Sequence, residues 1–261
     1  LASIRVMFAK YTNSAACYGI FGDLGHSLAF YAAVEAQIIG NRCVSVVGRS
    51  PKEQAQQFAG ARVDVIYATP TQMRLLSKSH SVLENVQVVF IGGGRLDLET
   101  RARVQSLAPN AQILQFYGAA ETSFITLAEP HHDAASVGIA FPGVEIDIRN
   151  MNSDGMGDVW VKSPYVFSEY AQCHAPDTHW QDGWLTIGEL GKIDDAGQLF
   201  LSGRKSRVFT VADKTIYPEE IEHYLNAQTK VIASAVFPVD DPLRGARIYV
   251  ALCSEHTDDD R

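Results

Sequence analysis

Between Arg42 and Gly118 the chain alternates short apolar runs with helical segments. The runs are "RCVSVV", "VDVIYATP", "VQVVFIGGG" and "AQILQFYG"; between them lie "SPKEQAQQFAGA", "PTQMRLLSKSH" and "DLETRARVQSLA", the last stopped near Pro109. Strands that are apolar throughout, rather than on alternate residues, need cover on both faces. The spacing therefore predicts an α/β fold with a parallel sheet and flanking helices. Upstream, "LASIRVMFAKY" reads as a helix, "ACYGIFGDL" as a short apolar run and "SLAFYAAVEAQIIG" as a buried helix ended by Gly40. Ligands of such sheets bind beyond the carboxyl ends of strands, where "GGG" (92–94) and "YGAAE" (117–121) both fall.

After about residue 140 the pattern changes. "VEIDIRNMNSDGMGDVWVKSP" alternates apolar and polar residues about a glycine-rich turn, and "GELGKIDDAGQLFLSG" does so about "DDAG". Both predict antiparallel hairpins in a barrel-like β subdomain. "GRKSR" (203–207) reads as a basic joint. Beyond it, "YPEEIEHYLNAQ" reads as a helix opened by Pro218, with "VIASAVFPV" and "ARIYVALCS" as strands, the start of a small α+β C-terminal domain. The expected division is 1–140, 141–203 and 204–261.

A length of 261 residues suffices for a sizeable core, and 46% apolar with 20% charged residues is the balance of a soluble globular protein. A net charge of −8 argues against a nucleic-acid partner, which calls for a basic face. No run approaches the ~18 apolar residues of a membrane span. Cys17, Cys43, Cys173 and Cys253 form no CxxC pair and read as reduced thiols of a cytoplasmic protein. "CHAPDTHW" and "EPHHD" gather histidines without zinc-type spacing and read as solvated loops.

The corner "QFYGAAETSF" places one carboxylate, Glu121, behind Tyr117 and the small residues Gly118, Ala119 and Ala120. A flat ring suits a purine and a carboxylate suits Mg²⁺; a strand-end tyrosine packing its ring is the structural alternative. Gly92, Gly93 and Gly94 end a strand where a missing Cβ admits a ligand, although a tight turn explains them equally. His26 precedes an apolar helix, where a histidine is more often a satisfied core residue.

Four stretches, in this order and spacing, resemble the adenylate-forming superfamily of acyl-CoA synthetases, carrier-protein-loading adenylation domains and luciferases. They are "FIGGGRL", "FYGAAETSF", "GWLTIGELGKIDDAGQLFLSGRKSRV" and "YPEEIEHYL". "VWVKSPYVFSEY" and "GDLGHSLAFYAA" look closest to the acyl-CoA synthetase branch. The resemblance implies ATP-dependent activation of a carboxylic acid through an acyl-adenylate, with Mg²⁺, and with CoA as acceptor. It makes Tyr117 the ring that stacks on adenine and Glu121 the catalytic Mg²⁺ ligand. Gly93, Gly94, Gly118, Ala119 and Ala120 would border the nucleotide. Glu189 would hold the ribose hydroxyls, Arg204 the ribose and phosphate, and His26 and Gly92 the acid. No GxSxG-type nucleophile is present.

The chain departs from the family pattern at several positions. Ala120 stands where a threonine is usual, Glu189 where an aspartate is usual, and Ser206 where the hinge has Asp or Lys. Asp213 and Lys214 replace paired glycines. The family's phosphate-gripping loop would precede Leu1 and its catalytic lysine would follow Arg261. The expectation is therefore a piece of a longer enzyme, ends left out of the chain, or a natural short form. Two further functions compete with the CoA ligase: loading of a carrier-protein phosphopantetheine, and a non-catalytic nucleotide- or acyl-binding module.

Overall fold

A computed structural model describes residue 11 and residues 16–172, 175–228 and 231–254. The helix expected at the start of the chain lies, apart from Tyr11, outside the described residues, as do Cys173 and His174. The chain divides into two compact units. The first comprises 1–145, 162–169 and 195–199; the second comprises 146–161, 170–194 and 200–261.

The first unit is built on a seven-stranded sheet. In chain order its strands are β1 (Cys17–Ile20), β2 (Arg42–Ser45), β3 (Val65–Ala68), β4 (Val88–Ile91), β5 (Gln112–Ala119), β6 (Ser123–Ala128) and β7 (Ile139–Ala140). The spatial order is β2-β1-β3-β4-β5-β6-β7. The first five strands are parallel; β1, β3 and β4 are buried along their whole length, whereas β2, at the sheet's edge, is largely exposed although its run was expected to need cover on both faces. β6 and β7 then add antiparallel. β6 is a strand that the sequence pattern did not reveal.

Helices α1 (Ser27–Ile38), α2 (Pro51–Ala61), α3 (Pro70–Ser77) and α4 (Leu98–Leu107) connect the strands. Local chemistry fixes where they begin. Ser50 with Glu53, and Thr69 with Gln72, form capping boxes with Pro51 and Pro70 at the first turn, and Asp97 caps α4. α3 stops at Ser77, short of the expected end, and His80 takes φ 53° beyond it. Phe58, Met73, Leu76, Ile91 and Val104, each at most 1% exposed, lie in the core packed against these helices.

In the second unit, β8 (Glu145–Arg149), β9 (Gly157–Lys162), β10 (His179–Gln181), β11 (Trp184–Thr186), β12 (Glu189–Ile193) and β13 (Leu199–Arg204) form one sheet. β9 runs antiparallel to β11 and β12. A 3₁₀ turn over Lys205–Arg207 follows. β14 (Phe209–Val211) and β15 (Lys214–Ile216) make a small hairpin whose turn residues, Ala212 and Asp213, both adopt positive φ. Helix α5 (Pro218–Asn226) leads into the ribbon of β16 (Val231–Asp241) and β17 (Gly245–Ser254).

Candidate functional site

β4 and β5 are parallel neighbours with Ile91 beside Gln115, so their carboxyl ends carry Gly92–Gly94 and Phe116–Ala119 side by side. Each glycine serves differently. A Cβ on Gly92 would fall on the Phe116 ring, so its bareness accommodates that ring. Gly93 has φ +73°, which a side chain would disfavour. Gly94 turns past Pro70, whose Cδ would lie 3.5 Å from an added Cβ.

Tyr117 is half-buried on β5 opposite Thr126, and the register shifts between it and Gly118. At Gly118 a Cβ would collide with the Ser123 carbonyl, so only glycine lets β6 approach. The turn is locked by Thr122, 1% exposed, whose hydroxyl accepts the Ala119 N–H at 3.0 Å. Thr122 was not singled out from the sequence; a threonine three residues after a strand end is the signal that could have found it. Ala120 is exposed and Glu121 half-buried at the apex, and the Glu121 carbonyl accepts the Phe167 N–H at 2.8 Å.

An apolar cavity of about 70 Å³ opens beside this corner. Leu28 and Tyr31 of α1, Gly93, Phe116 and Phe124 contribute to its walls. His26 is the N-cap residue of α1, exposed, with no side-chain capping bond. It is therefore not a core histidine; its successor Ser27 lines the cavity.

Glu189 and Arg204 belong to the second unit and meet there. Arg204 Nε donates to Glu189 Oε1 at 3.3 Å, with the Glu189 side chain 14% exposed and Arg204 58% exposed. Burial pushes the Glu189 carboxyl above its usual range, the Arg204 charge draws it back and the nearby Glu219 charge adds to the rise. Thus His26, Gly92–Gly94 and Tyr117–Glu121 gather in the first unit, and Glu189 with Arg204 in the second.

Comparison with known proteins defines the class. Over residues 2–171 the chain matches the family of AMP-binding enzymes, and it belongs to that family. It is 28% identical over 232 residues to the uncharacterized acyl-CoA ligase YhfT of Bacillus subtilis (strain 168), covering 86% of this chain and 47% of that protein. It is 25% identical over 237 residues to the putative long chain fatty acid-CoA ligase VraA of Staphylococcus aureus (strain COL), covering 89% and 50%. The chain spans about half the length of these curated relatives. The o-succinylbenzoate CoA synthetase MenE of Bacillus subtilis, solved with its acyl-adenylate intermediate, superposes with a TM-score of 0.84 at 24% identity, over 98% of this chain and 55% of that one. The amide bond synthetase McbA of Marinactinospora thermotolerans gives the same score, identity and coverage. The fold is that of adenylate-forming enzymes. No helix among the described residues is long and apolar enough to cross a membrane.

Proposed function

We propose that the protein activates a carboxylic acid with ATP and passes the acyl group to CoA. The observation that carries this reading is the juxtaposition of the Gly92–Gly94 turn, the Tyr117–Glu121 corner and an apolar cavity in a chain of the AMP-binding family. The acid's carboxylate oxygen attacks the α-phosphorus of ATP, the bond to the bridging oxygen breaks and pyrophosphate leaves. The thiol of CoA then attacks the acyl carbonyl as it loses its proton, and AMP leaves.

The residues present fit these roles. The half-buried Tyr117 offers a ring for adenine, a contact worth about 1–3 kcal/mol. Gly93, Gly94, Gly118, Ala119 and Ala120 border the nucleotide, and Gly92 seats Phe116 at the acid cavity. His26, at the exposed start of α1, faces the incoming carboxylate. Among the described residues no group of three or more His, Cys, Asp or Glu converges as a metal cage. A single carboxylate such as Glu121 suits Mg²⁺, which is held by one or two carboxylates plus substrate phosphates. Bound there, the ion would offset phosphate charge during transfer. Glu189 and Arg204 hold the ribose and phosphate. MenE was also solved with ATP and a magnesium ion, which supports the same pair of ligands here.

The test is acid-dependent exchange of labelled pyrophosphate into ATP by the full-length gene product. Glu121→Gln should lower exchange by about 10²-fold or more, given the size of comparable electrostatic contacts. Near-normal exchange in that variant would remove Glu121 from the metal role. Thioester formation with free CoA, compared with a panel of carrier proteins, decides the acceptor.

A further inference from the structure

Helix α1 is held in place by an unusual set of residues. Those it buries are Ala29, Ala32, Ala36 and one carboxylate, Glu35. Alanine methyls let a helix lie close to a sheet, but they offer no ridges that lock it against sliding or turning. The start of α1 adds no anchor of its own: His26 makes no side-chain capping bond, whereas a capping side chain holds the start of α2, α3 and α4. Glu35 supplies the fixed points. It is 1% exposed, and each of its oxygens accepts a different hydroxyl, Oε1 that of Tyr18 at 3.0 Å and Oε2 that of Tyr67 at 2.6 Å. Tyr18 lies on β1 and Tyr67 on β3, which are parallel neighbours, so one carboxylate ties the helix to two strands. The Tyr67 ring is itself stacked on Phe90 of β4 at 4.6 Å between centroids.

Tyr31 stands one turn before Glu35 on α1 and Leu28 two turns before it, so all three leave the same side of the helix. Leu28 and Tyr31 line the cavity beside the Tyr117–Glu121 corner; Glu35 does not. We propose that Glu35 is a positioning residue for the acid: by fixing α1 on β1 and β3 it sets where Leu28 and Tyr31 stand in the cavity wall. The proposal rests on the reading of this cavity as the acid's. Without the two hydroxyl bonds the smooth alanine face would let α1 shift, and Leu28 and Tyr31 would move with it. A misplacement of about 1 Å in groups that hold a substrate can cost on the order of 10²-fold in rate, even when its cause lies away from the chemistry. The Tyr117–Glu121 corner is built on β5 and β6 rather than on α1, so ATP should be little affected.

The experiment measures acid-dependent pyrophosphate exchange by the full-length gene product, with hexanoate, dodecanoate and benzoate as probes and with acid and ATP varied separately. In Glu35→Leu, KM for the best of these acids should rise ~10-fold or more, while KM for ATP changes by less than ~2-fold. Glu35→Gln keeps an oxygen that accepts a tyrosine hydroxyl and should recover most of that loss. A merely structural role would lower the melting temperature of Glu35→Leu and leave KM for the acid at the parent value. That result overturns the proposal, as does an equal rise in both KM values or a Glu35→Gln variant no better than Glu35→Leu. Where Glu35→Leu fails to fold, Tyr67→Phe removes one of the two ties and should raise KM for the acid alone; an unchanged value there overturns the proposal too. Each of these failures leaves acid activation standing. Absence of exchange by the parent with all three acids overturns both readings.

Discussion

The Lys205 ammonium donates to both carboxylate oxygens of Asp158, at 2.8 and 3.1 Å, where the 3₁₀ turn meets the second unit's sheet. Asn150 adds a bond to the same carboxylate at 2.8 Å. Asp158 is 8% exposed, so burial opposes its ionisation, yet the Asn150 and Lys205 bonds outweigh that and hold the carboxyl below its usual range. A depressed folded pKa contributes stability above the unfolded value and loses it as pH falls through the folded one. Denaturant unfolding should therefore show an acid-side decline that Asp158→Asn removes. Lys205 is itself largely exposed, so Lys205→Met should cost only about 1 kcal/mol at neutral pH.

Glu35 behaves in the opposite sense. Burial on α1 lifts its carboxyl to about 7, above the ordinary 4.5, against the pull of the bonds from Tyr67 and Tyr18. Its contribution is full below the unfolded value and declines as pH rises towards the folded one. In Glu35→Gln that decline should vanish. Relative to the parent, the variant should gain on the order of 3 kcal/mol between those two pH values, read from denaturant midpoints. A constant difference across the range would show that Glu35 does not titrate there.

At Gly118 the β6 backbone comes too close to β5 to leave room for a side chain. A methyl group there meets the Ser123 carbonyl, which is backbone and cannot swing aside. Gly118→Ala should cost about 2 kcal/mol or more, by opening the hairpin that holds the Tyr117–Glu121 corner. Thermal melts of the variant check this; a shift of under a degree would mean that the hairpin adjusts freely.

Tyr117→Ala should weaken ATP more than acid, by about 10-fold or more in KM for ATP. Steady-state kinetics with each substrate varied separately gives the split. A larger effect on the acid would place the ring at the acyl cavity instead.

Much of this architecture is legible in the chain. Ser50-Pro51 and Thr69-Pro70 announce helix starts through capping chemistry, and the apolar runs of β3 and β4 announce buried parallel strands. The β6 strand was not legible. "SFITLA" is buried on both faces, so it lacks alternation, and it follows a corner that reads as a polar turn. The motif stretches single out Tyr117 and Glu121 as candidates at once. The buried Glu35 of α1 has no comparable signal, because Tyr18 and Tyr67, whose hydroxyls donate to its carboxyl, stand 17 and 32 residues away in sequence. Only the folding of β1 and β3 beneath α1 brings them together.

One series of rings runs through the first unit. Tyr67 meets Phe116 at 6.4 Å, Phe116 meets Phe124 at 5.0 Å, Phe124 meets Phe141 at 5.5 Å and Phe141 meets Tyr165 at 6.0 Å. Rings in contact cannot shrink or turn singly without leaving a void or a clash. A lineage drifting in sequence here would therefore have to change neighbouring rings as pairs. Single-site libraries over these positions should be poor in stable variants, and two-site libraries richer, so this series acts as a brake on sequence drift.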